Sequence, residues 1–555
     1  MRVDNPIQMN DWGIKQFLST VLIIQLSLWS VLGLEAAGLR LPVIRQFISY
    51  TYLLYVPGIL ILRVFRLHKL GNIKTLLYSV GLSITILMFT GLFMNAFYPF
   101  LGVPRPISIM PLSVTIGVII LVLCGISYLR DKNFSEPSYL DTGELFSPPA
   151  LFLLLVSLLS VIGSYLVAAY ESNFLLMVLM VLIALISILI GFGKFFPKRL
   201  YPLAIFVIAL SLIFHRTLSS FYISGSDIHH EYYLANLVKI NGIWDSTIPV
   251  SYNSMLSVVM LGPISSIMGD MSLTWVFKII YPLLFALVPL GLFHIFRKQT
   301  DDKIAFFSCF FFVAVFQFYT EIPTIMRQQI ATIFLILLIF LMIESEINNN
   351  SRVFFTIIFS ASLVVSHYAL AYVYMFLLIF AWVMLALIRT RRAQNLENYL
   401  YSKFGRQQLE KSSDALISGA ENRVTSFAFV ILFILFALAW YMYIAKSTVF
   451  NSVANLGSVV ASTIFTEFLN PGSSHGLTLL LTKPRSGFLN QTHAIINYAN
   501  QAFIILGITS LLLRRKELKF EREYAVFAVS GLLLFLSICW FLLFRSLSAW
   551  TGFIL

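Results

Sequence analysis

The sequence predicts an all-α, polytopic integral membrane protein with about 15 transmembrane helices. Three observations carry this. The 555 residues are 59% hydrophobic and only 11% charged, where a soluble domain runs near ~25% charged. Mean hydropathy is +0.87. The apolar residues fall in long runs rather than in the short alternations of strands, and they suffice for roughly 16 spans of ~20 residues. A soluble enzyme, a disordered chain and a nucleic-acid-binding module are excluded. The net charge of +13 is better explained by basic loops on the cytoplasmic side of a membrane.

Taken in order, the expected spans are 16–34, 46–64, 75–96, 107–128, 148–169, 173–193, 200–218, 272–296, 304–320, 328–343, 353–367, 369–388, 425–444, 499–513 and 524–544. The first six make an N-terminal module, 1–199, with short polar connections. Met1 to Lys15 is polar and no small-residue cleavage pattern follows, so the first run is expected to stay as a span. Segment 251–268 is apolar but carries Asn253, Gly262, Pro263 and Gly269. It reads as interfacial or re-entrant, because irregular backbone survives at depth only under cover of protein. Tyr55-Val56-Pro57-Gly58, Pro282 and Pro289 read as kinks. Residues 389–424 form a charged cytoplasmic loop, and 445–498 an exterior loop whose Gly, Ser and Asn clusters suggest irregular structure. The apolar close LSAWTGFIL reads as a truncated end. Cys124, Cys309 and Cys539 all lie in apolar stretches, so neither a disulfide framework nor a metal knuckle is legible.

Orientation follows from Lys and Arg. With the N-terminus in the cytoplasm, 27 of the 38 basic residues fall inside and 10 outside, with Lys278 within a span. Translocating Lys and Arg is disfavoured, so this orientation is strongly preferred. Counting 251–268 as a span would invert every later loop.

The unusual chemistry then collects on the exterior. After the seventh span comes Ser224-Gly225-Ser226-Asp227-Ile228-His229-His230-Glu231-Tyr232-Tyr233. Asp227 and Glu231 are four apart, which puts both carboxylates on one face of a helix starting near Asp227. Asp227 suits the N-cap of that helix. Tyr232, Tyr233, Leu234, Leu237, Val238 and Ile240 would give it an apolar surface suited to the membrane interface. A carboxylate there can take a proton from a hydroxyl acceptor or hold a divalent metal; equally, Asp227 could only cap while His229 and His230 face water.

The run Gly225, Asp227, His230, Tyr233, Asn241 and Gly242, followed by the Ser251–Pro263 stretch, resembles the first exterior loop of GT-C glycosyltransferases. These include oligosaccharyltransferase catalytic subunits and protein O-mannosyltransferases. The resemblance covers about 200–390 and implies a GT-C-like core, 200–388, with exterior active-site loop 219–271 and the six-span module added before it. It also implies that Asp227 is the catalytic or metal-binding carboxylate. A divalent cation, magnesium or manganese, is the one cofactor it would hold if a metal is used. The chain departs from the family in placing this loop after the seventh span rather than the first. It also lacks a C-terminal soluble domain and a WWD-like motif, which argues against peptide glycosylation. The stretch YVPGILILRVFRLHKLGNIKTLLYSVGLS is similar to the N-terminal part of a family of archaeal multi-span membrane proteins.

Two more exterior sites join the expectation. Arg327 begins the tenth span, where a helix N-terminus plus a guanidinium suits a carrier phosphate or, equally, a snorkelling anchor. Glu321 would pair with it. Ser366-His367-Tyr368 is a tight outer turn, with His367 placed to donate to phosphate or sugar, or simply satisfied at the interface. The candidate catalytic residues are therefore Asp227, Glu231 and His230. The candidate substrate-binding residues are Arg327, Glu321, His367, Tyr368, Tyr233 and Asn253. Asn490-Gln491-Thr492 matches a glycosylation sequon. The expected activity is transfer of sugar from a polyprenyl-phosphate (dolichol-phosphate-like) donor to an acceptor outside the cytoplasmic membrane, with membrane lipids around it and no nucleic-acid partner. No P-loop is present. Two rivals stand: a flippase or transporter of lipid-linked glycans, which would want charges such as Lys278 near mid-membrane; and an O-antigen-ligase-like enzyme, which would use His475, Lys483, Arg485 and His493.

Overall fold

A computed structural model describes residues 2–141, 143, 146–344, 347–388, 426–463, 487–513 and 524–534. The protein is a polytopic all-α chain. Its one sheet among these residues is a short antiparallel pair, Arg2–Asp4 with Tyr139–Asp141.

Among the described residues ten helices are long and apolar enough to cross a membrane: Ile14–Ala36, Pro42–Val64, Asn72–Leu101, Ile109–Asp131, Pro148–Tyr170, Phe174–Gly191, Lys198–Thr217, Leu273–Gln299, Met326–Ile343 and Tyr368–Leu387. Two bent pairs raise the number to twelve if each is one span. One, Asp302–Ala314 with Gln317–Thr324, bends by 59° where the 304–320 span was expected. The other, Phe427–Tyr443 with Ala445–Val459, bends by 91° at Ala445, Lys446 and Ser447, whose φ values of 53°, 51° and 62° are left-handed. Of the other expected spans, 353–367 lies in the helix Asn349–Ser366 and 499–513 in Phe488–Leu513. Only 524–534 of the last is described, as a short apolar helix.

Two compact units divide the chain: Met1–Leu341, Ser345–Leu370 and Tyr443–Thr448 in one, Met342–Glu344, Ala371–Met442 and Val449–Leu555 in the other. Residues 1–199 lie in the first unit together with 200–341. In that unit five spans are interior, each 67–78% buried: Pro42–Val64, Asn72–Leu101, Lys198–Thr217, Leu273–Gln299 and Met326–Ile343. Ile14–Ala36, Ile109–Asp131, Pro148–Tyr170 and Phe174–Gly191 are 28–33% buried and leave apolar side chains such as Leu155 and Val181 on the surface, as lipid-facing helices do. The kink at Pro57 is absorbed in the interior: the Gly58 N–H donates to Ser83 Oγ at 2.9 Å. A Cβ on Gly58 would lie 1.9 Å from the Ser79 carbonyl oxygen, so only glycine allows these two helices to approach.

The second unit is joined by rings. Tyr372 meets Tyr441 at 5.4 Å, Tyr374 meets Phe433 at 5.2 Å and Phe527 at 6.2 Å, and Trp382 meets Phe427 at 5.2 Å. The 445–498 stretch corrects one expectation. Thr448–Thr463 and the start of Phe488–Leu513 are helical rather than irregular, because the Gly and Ser there sit among helix-compatible apolar residues. His475, Lys483, Arg485, Cys539 and the whole 389–424 loop lie outside the described residues, as do the side chains of Asn490 and His493.

Segment 251–269 is too short and too broken to span. It forms a 3₁₀ turn, Ser251–Ser254, then Leu256–Val259 and Leu261–Gly269, almost wholly buried. Arg45 holds its end, donating from Nε to the Met268 carbonyl at 3.0 Å and from Nη2 to Ile267 at 2.8 Å, a cation at a helix C-terminus.

Candidate functional site

The loop after Lys198–Thr217 leads through Gly225 into the helix Asp227–Asn241. Gly225 has φ +130°, and a Cβ there would come within 2.6 Å of Thr324 Cβ. Glycine therefore lets the loop lie against the 322–324 turn, just before Met326–Ile343. That close approach delivers two carboxylates to one arginine. Arg327 Nη2 donates to Asp227 Oδ2 at 2.5 Å, and Nη1 donates to Glu231 Oε1. Glu231 Oε2 accepts the Met326 backbone N–H at 2.7 Å. Side-chain exposure is 1% for Arg327, 10% for Asp227 and 0% for Glu231. Of the pair, Asp227 is the carboxylate with access.

Three expectations change here. Asp227 is the first helical residue, and Ser226 stands at the N-cap. The helix does not turn all of its apolar side chains outward: Asp227, Ile228, Glu231, Leu234, Ala235 and Val238 are its buried face, packed on 256–269, while Tyr233 and Ile240 are exposed. The anion at the start of Met326–Ile343 is Glu231 itself, occupying the position read from sequence as a phosphate seat. Arg327 pairs with Asp227 and Glu231, and Glu321, half-buried at the end of a π-helical turn, accepts through its carbonyl from Thr324 Oγ1 at 2.7 Å.

Aromatic rings enclose the cluster. Arg327 Cζ lies 4.3 Å from the Tyr252 ring centroid and 5.6 Å from that of Tyr368, both within cation–π range. His230, on the exposed side, stacks on Tyr252 at 5.7 Å. His367 is buried against Tyr368 at 5.5 Å. Its Nδ1 accepts the Leu370 N–H at 3.0 Å, which leaves the proton on Nε2 in the neutral ring. Burial, with Arg327 adding to it, holds the His367 imidazole well below its usual range. Burial raises the Glu231 carboxyl, against the pull of Arg327 and the Met326 N–H. Tyr252 is pushed up to about 12, chiefly by burial.

Asn253 plays a different part from the substrate contact expected of it. Its Oδ1 accepts from Trp244 Nε1 at 2.9 Å and its Nδ2 donates to the Asp245 and Ile248 carbonyls at 2.8 and 3.3 Å. With both amide atoms engaged, Asn253 braces the 244–253 loop. Asn95 braces the same loop through both backbone groups of Trp244, at 3.0 and 2.7 Å.

The donor set does not suit a divalent cation. Among the described residues no three of His, Cys, Asp and Glu gather as metal ligands. The two carboxylates that do converge are engaged by a guanidinium, which a metal would have to displace.

Lys278, Arg216 and Thr217 line a small cavity with Ser224, Ile228 and Thr324. Lys278 was considered only as a mid-membrane charge for a transporter. It lies five residues after the start of Leu273–Gln299, within a π-helical turn, Val276–Ile280.

Residues 351–548 match a family model described as "Predicted membrane protein (DUF2206)". No curated protein and no solved structure matches the chain. The matched part begins beyond Asp227, Glu231 and Arg327.

Proposed function

We propose that the chain is a membrane glycosyltransferase of GT-C type, moving a sugar from a polyprenyl-phosphate-linked donor to an acceptor on the exterior face of the cytoplasmic membrane. Its N-terminus would be cytoplasmic. The observation that carries this reading is Asp227. It is a carboxylate at the start of a loop helix, bound to Arg327 through Oδ2 and partly open to solvent. In the reaction, the acceptor hydroxyl oxygen bonds to the anomeric carbon while the bond from that carbon to the phosphate oxygen breaks. The hydroxyl proton passes to Asp227 and the polyprenyl phosphate leaves. Arg327 and Glu231 fix the carboxylate so that little reorganisation is needed. His230 and Tyr252 offer a ring surface beside it, and Tyr368 with neutral His367 forms the floor. The GT-C-like order of Gly225, Asp227, His230, Asn241 and Gly242 supports the assignment.

The test is Asp227→Asn in the purified full chain, assayed for polyprenyl-phosphate release from a panel of lipid-linked sugars. Asparagine keeps an oxygen for Arg327 but cannot take the proton. Release should fall by about 100-fold or more, with the melting temperature close to wild type, and Asp227→Glu should also be impaired. Wild-type transfer by a folded Asp227→Asn variant would reduce Asp227 to an ion-pair partner and remove the reading.

A further inference from the structure

The end of the bundle that holds 191–201 also holds 297–307. A Cβ on Gly191 would stand 3.2 Å from Phe307 Cζ, and the Tyr201 ring lies 5.7 Å from that of Phe306. Two loops are therefore neighbours there, and both are basic. Lys194, Lys198 and Arg199 stand in one, Arg297, Lys298 and Lys303 in the other, and all six are exposed. The acids of these two stretches are Asp301 and Asp302, and both are engaged within their own loop. Asp301 Oδ1 caps the next helix, accepting the Lys303 and Ile304 N–H groups at 2.8 and 2.9 Å, and Asp302 Oδ1 lies 4.0 Å from Arg297. Six cations against two acids leave a positive field at this end of the bundle.

Lys and Arg gather on the untranslocated side of membrane proteins in general, so position distinguishes this patch rather than number. Other cations expected on the same face turn to the protein. Arg63 and Lys74 are buried, Arg66 donates to the Arg130 carbonyl at 2.8 Å, and Lys69 pairs with Glu136. The 192–199 loop turns its cations outward and interleaves them with rings: Phe192 and Phe195 are exposed among Lys194, Lys198 and Arg199. Phe195 has φ +68°, a conformation that a bulky residue keeps only where its surroundings impose it. Buried Phe196, edge-on to it at 4.9 Å, anchors the turn and leaves Phe195 outside.

The helices that end at this patch face lipid. Phe174–Gly191 is 28% buried, and Ile304, Phe307 and Phe311 are exposed along Asp302–Ala314. Acyl chains against those flanks bring their headgroups level with the cations. Phe192 and Phe195 are then placed to enter the boundary between headgroup and chain.

We propose that the patch formed by 192–199 and 297–303 binds the headgroup of an anionic phospholipid from the surrounding leaflet. The two basic loops hold the phosphodiester by their summed field at an open surface rather than in a closed pocket. The assignment stands apart from the sugar-transfer reading and holds for either orientation in the membrane.

The purified full chain is placed in phosphatidylcholine nanodiscs with a trace of photoactivatable lipid, its diazirine near the headgroup, as either phosphatidylglycerol or phosphatidylcholine. Mass spectrometry of peptic peptides reads the crosslinks. Phosphatidylglycerol should label 192–200 and 296–304 at least about fivefold more than phosphatidylcholine, the effect of ~one basic residue at a charged surface. That excess should shrink as salt rises. Lys194→Gln with Lys198→Gln and Arg199→Gln should remove most of it, and so should Arg297→Gln with Lys303→Gln; these positions are exposed, so the fold should survive. Arg130→Gln with Lys132→Gln removes two exposed cations expected on the same face and should leave the labelling unchanged. Equal labelling by the two lipids, or an excess untouched by salt or by both patch variants, overturns the proposal. An equal loss in the Arg130 and Lys132 variant also overturns it, because net charge rather than this patch would then select the lipid.

Discussion

The Glu231 carboxylate accepts the backbone N–H of Met326 at 2.7 Å, across 95 residues of sequence. One helix thereby supplies the anion that another helix needs at its start. The same carboxylate pairs with Arg327, so Glu231 serves both the backbone and the side chain of the 326–327 turn.

Removing either ionic partner from this cluster strands the other in a buried place. Arg327→Met should lower stability by about 3–5 kcal/mol, as breaking a buried ion pair does. Glu231→Gln in the Arg327→Met background should recover part of the loss, because the stranded charge goes with it. Melting curves of the two single variants and the double variant form the cycle. Strictly additive losses would show that the pair is not coupled. Arg327→Lys should also destabilise, since one ammonium cannot offer the two-pronged geometry that reaches both carboxylates.

His367 makes stability depend on pH in a direction that can be derived. Its folded form holds the imidazole well below the usual 6.5, whereas the unfolded chain takes up the proton near that value. Below about pH 6.5 the unfolded state therefore binds more protons and stability falls as pH falls, by up to about 1.4 kcal/mol per pH unit, until the folded pKa is reached. Above pH 6.5 this contribution is fully present. Replacing His367 by Asn, whose side-chain oxygen can still accept the Leu370 N–H, should flatten the wild-type decline between pH 7 and pH 5. An unchanged slope in that variant would assign the dependence to other groups.

Much of the architecture was legible because lipid imposes length and hydropathy on a helix, and both are linear in sequence. Asp227 and Glu231 were legible for a similar reason: a spacing of four is a local property of a helix. Their partner was not. Nothing in sequence shows that Arg327 comes to that face, because the approach depends on Gly225 lying against Thr324. Arg327 was noticed as a lone cation at a helix start, so an external anion was assigned where the fold supplies Glu231. Asn253 was read as a ligand, and its bonds to Trp244, Asp245 and Ile248 were not legible, because an amide's appetite for hydrogen bonds does not say whether protein or substrate meets it. Arg63 carried a signal that went unused, since a charge near the end of a span demands a partner.

That partner set makes Arg63 a second buried charge centre. The side chain is fully buried. Nη1 donates to the Asn10 and Trp12 carbonyls at 2.7 and 2.5 Å, Nη2 to the Asp131 and Phe134 carbonyls at 3.1 and 3.0 Å, and Nε pairs with Asp131 Oδ2 at 2.5 Å. His68 Nε2 lies 3.1 Å from the same Asp131 oxygen. The guanidinium thus binds the N-terminal segment and the 131–134 turn to one helix. Arg63→Lys should cost about 3–5 kcal/mol, because an ammonium cannot serve acceptors spread over that fork. Thermal melting in detergent checks the size. A loss below ~1 kcal/mol would mean that the network is readily replaced by water.

Membrane sidedness gives the last prediction, and the two clusters bear on it. Asp227, Arg327 and Tyr368 come from three loops that the Lys and Arg distribution assigns to the exterior, and they meet. Asn10, Arg63 and Asp131 come from segments it assigns to the cytoplasm, and they meet elsewhere. A span miscounted within 10–131 or within 227–368 would have put members of one cluster on opposite faces, so their meeting favours the alternation over those two ranges. It does not choose which face is outside; that expectation rests on the 27-to-10 charge split. In a background with the native cysteines replaced, single cysteines at Tyr222 and His229, both exposed, should react with a membrane-impermeant maleimide added to intact cells. Cysteines at Lys132 and Lys194, also exposed, should react only after the cells are opened. The opposite pattern would invert the orientation and place Asp227 in the cytoplasm, where a donor displayed on the exterior leaflet could not reach it. Labelling of all four from one side would instead break the alternation itself, and with it the count of spans between 132 and 222.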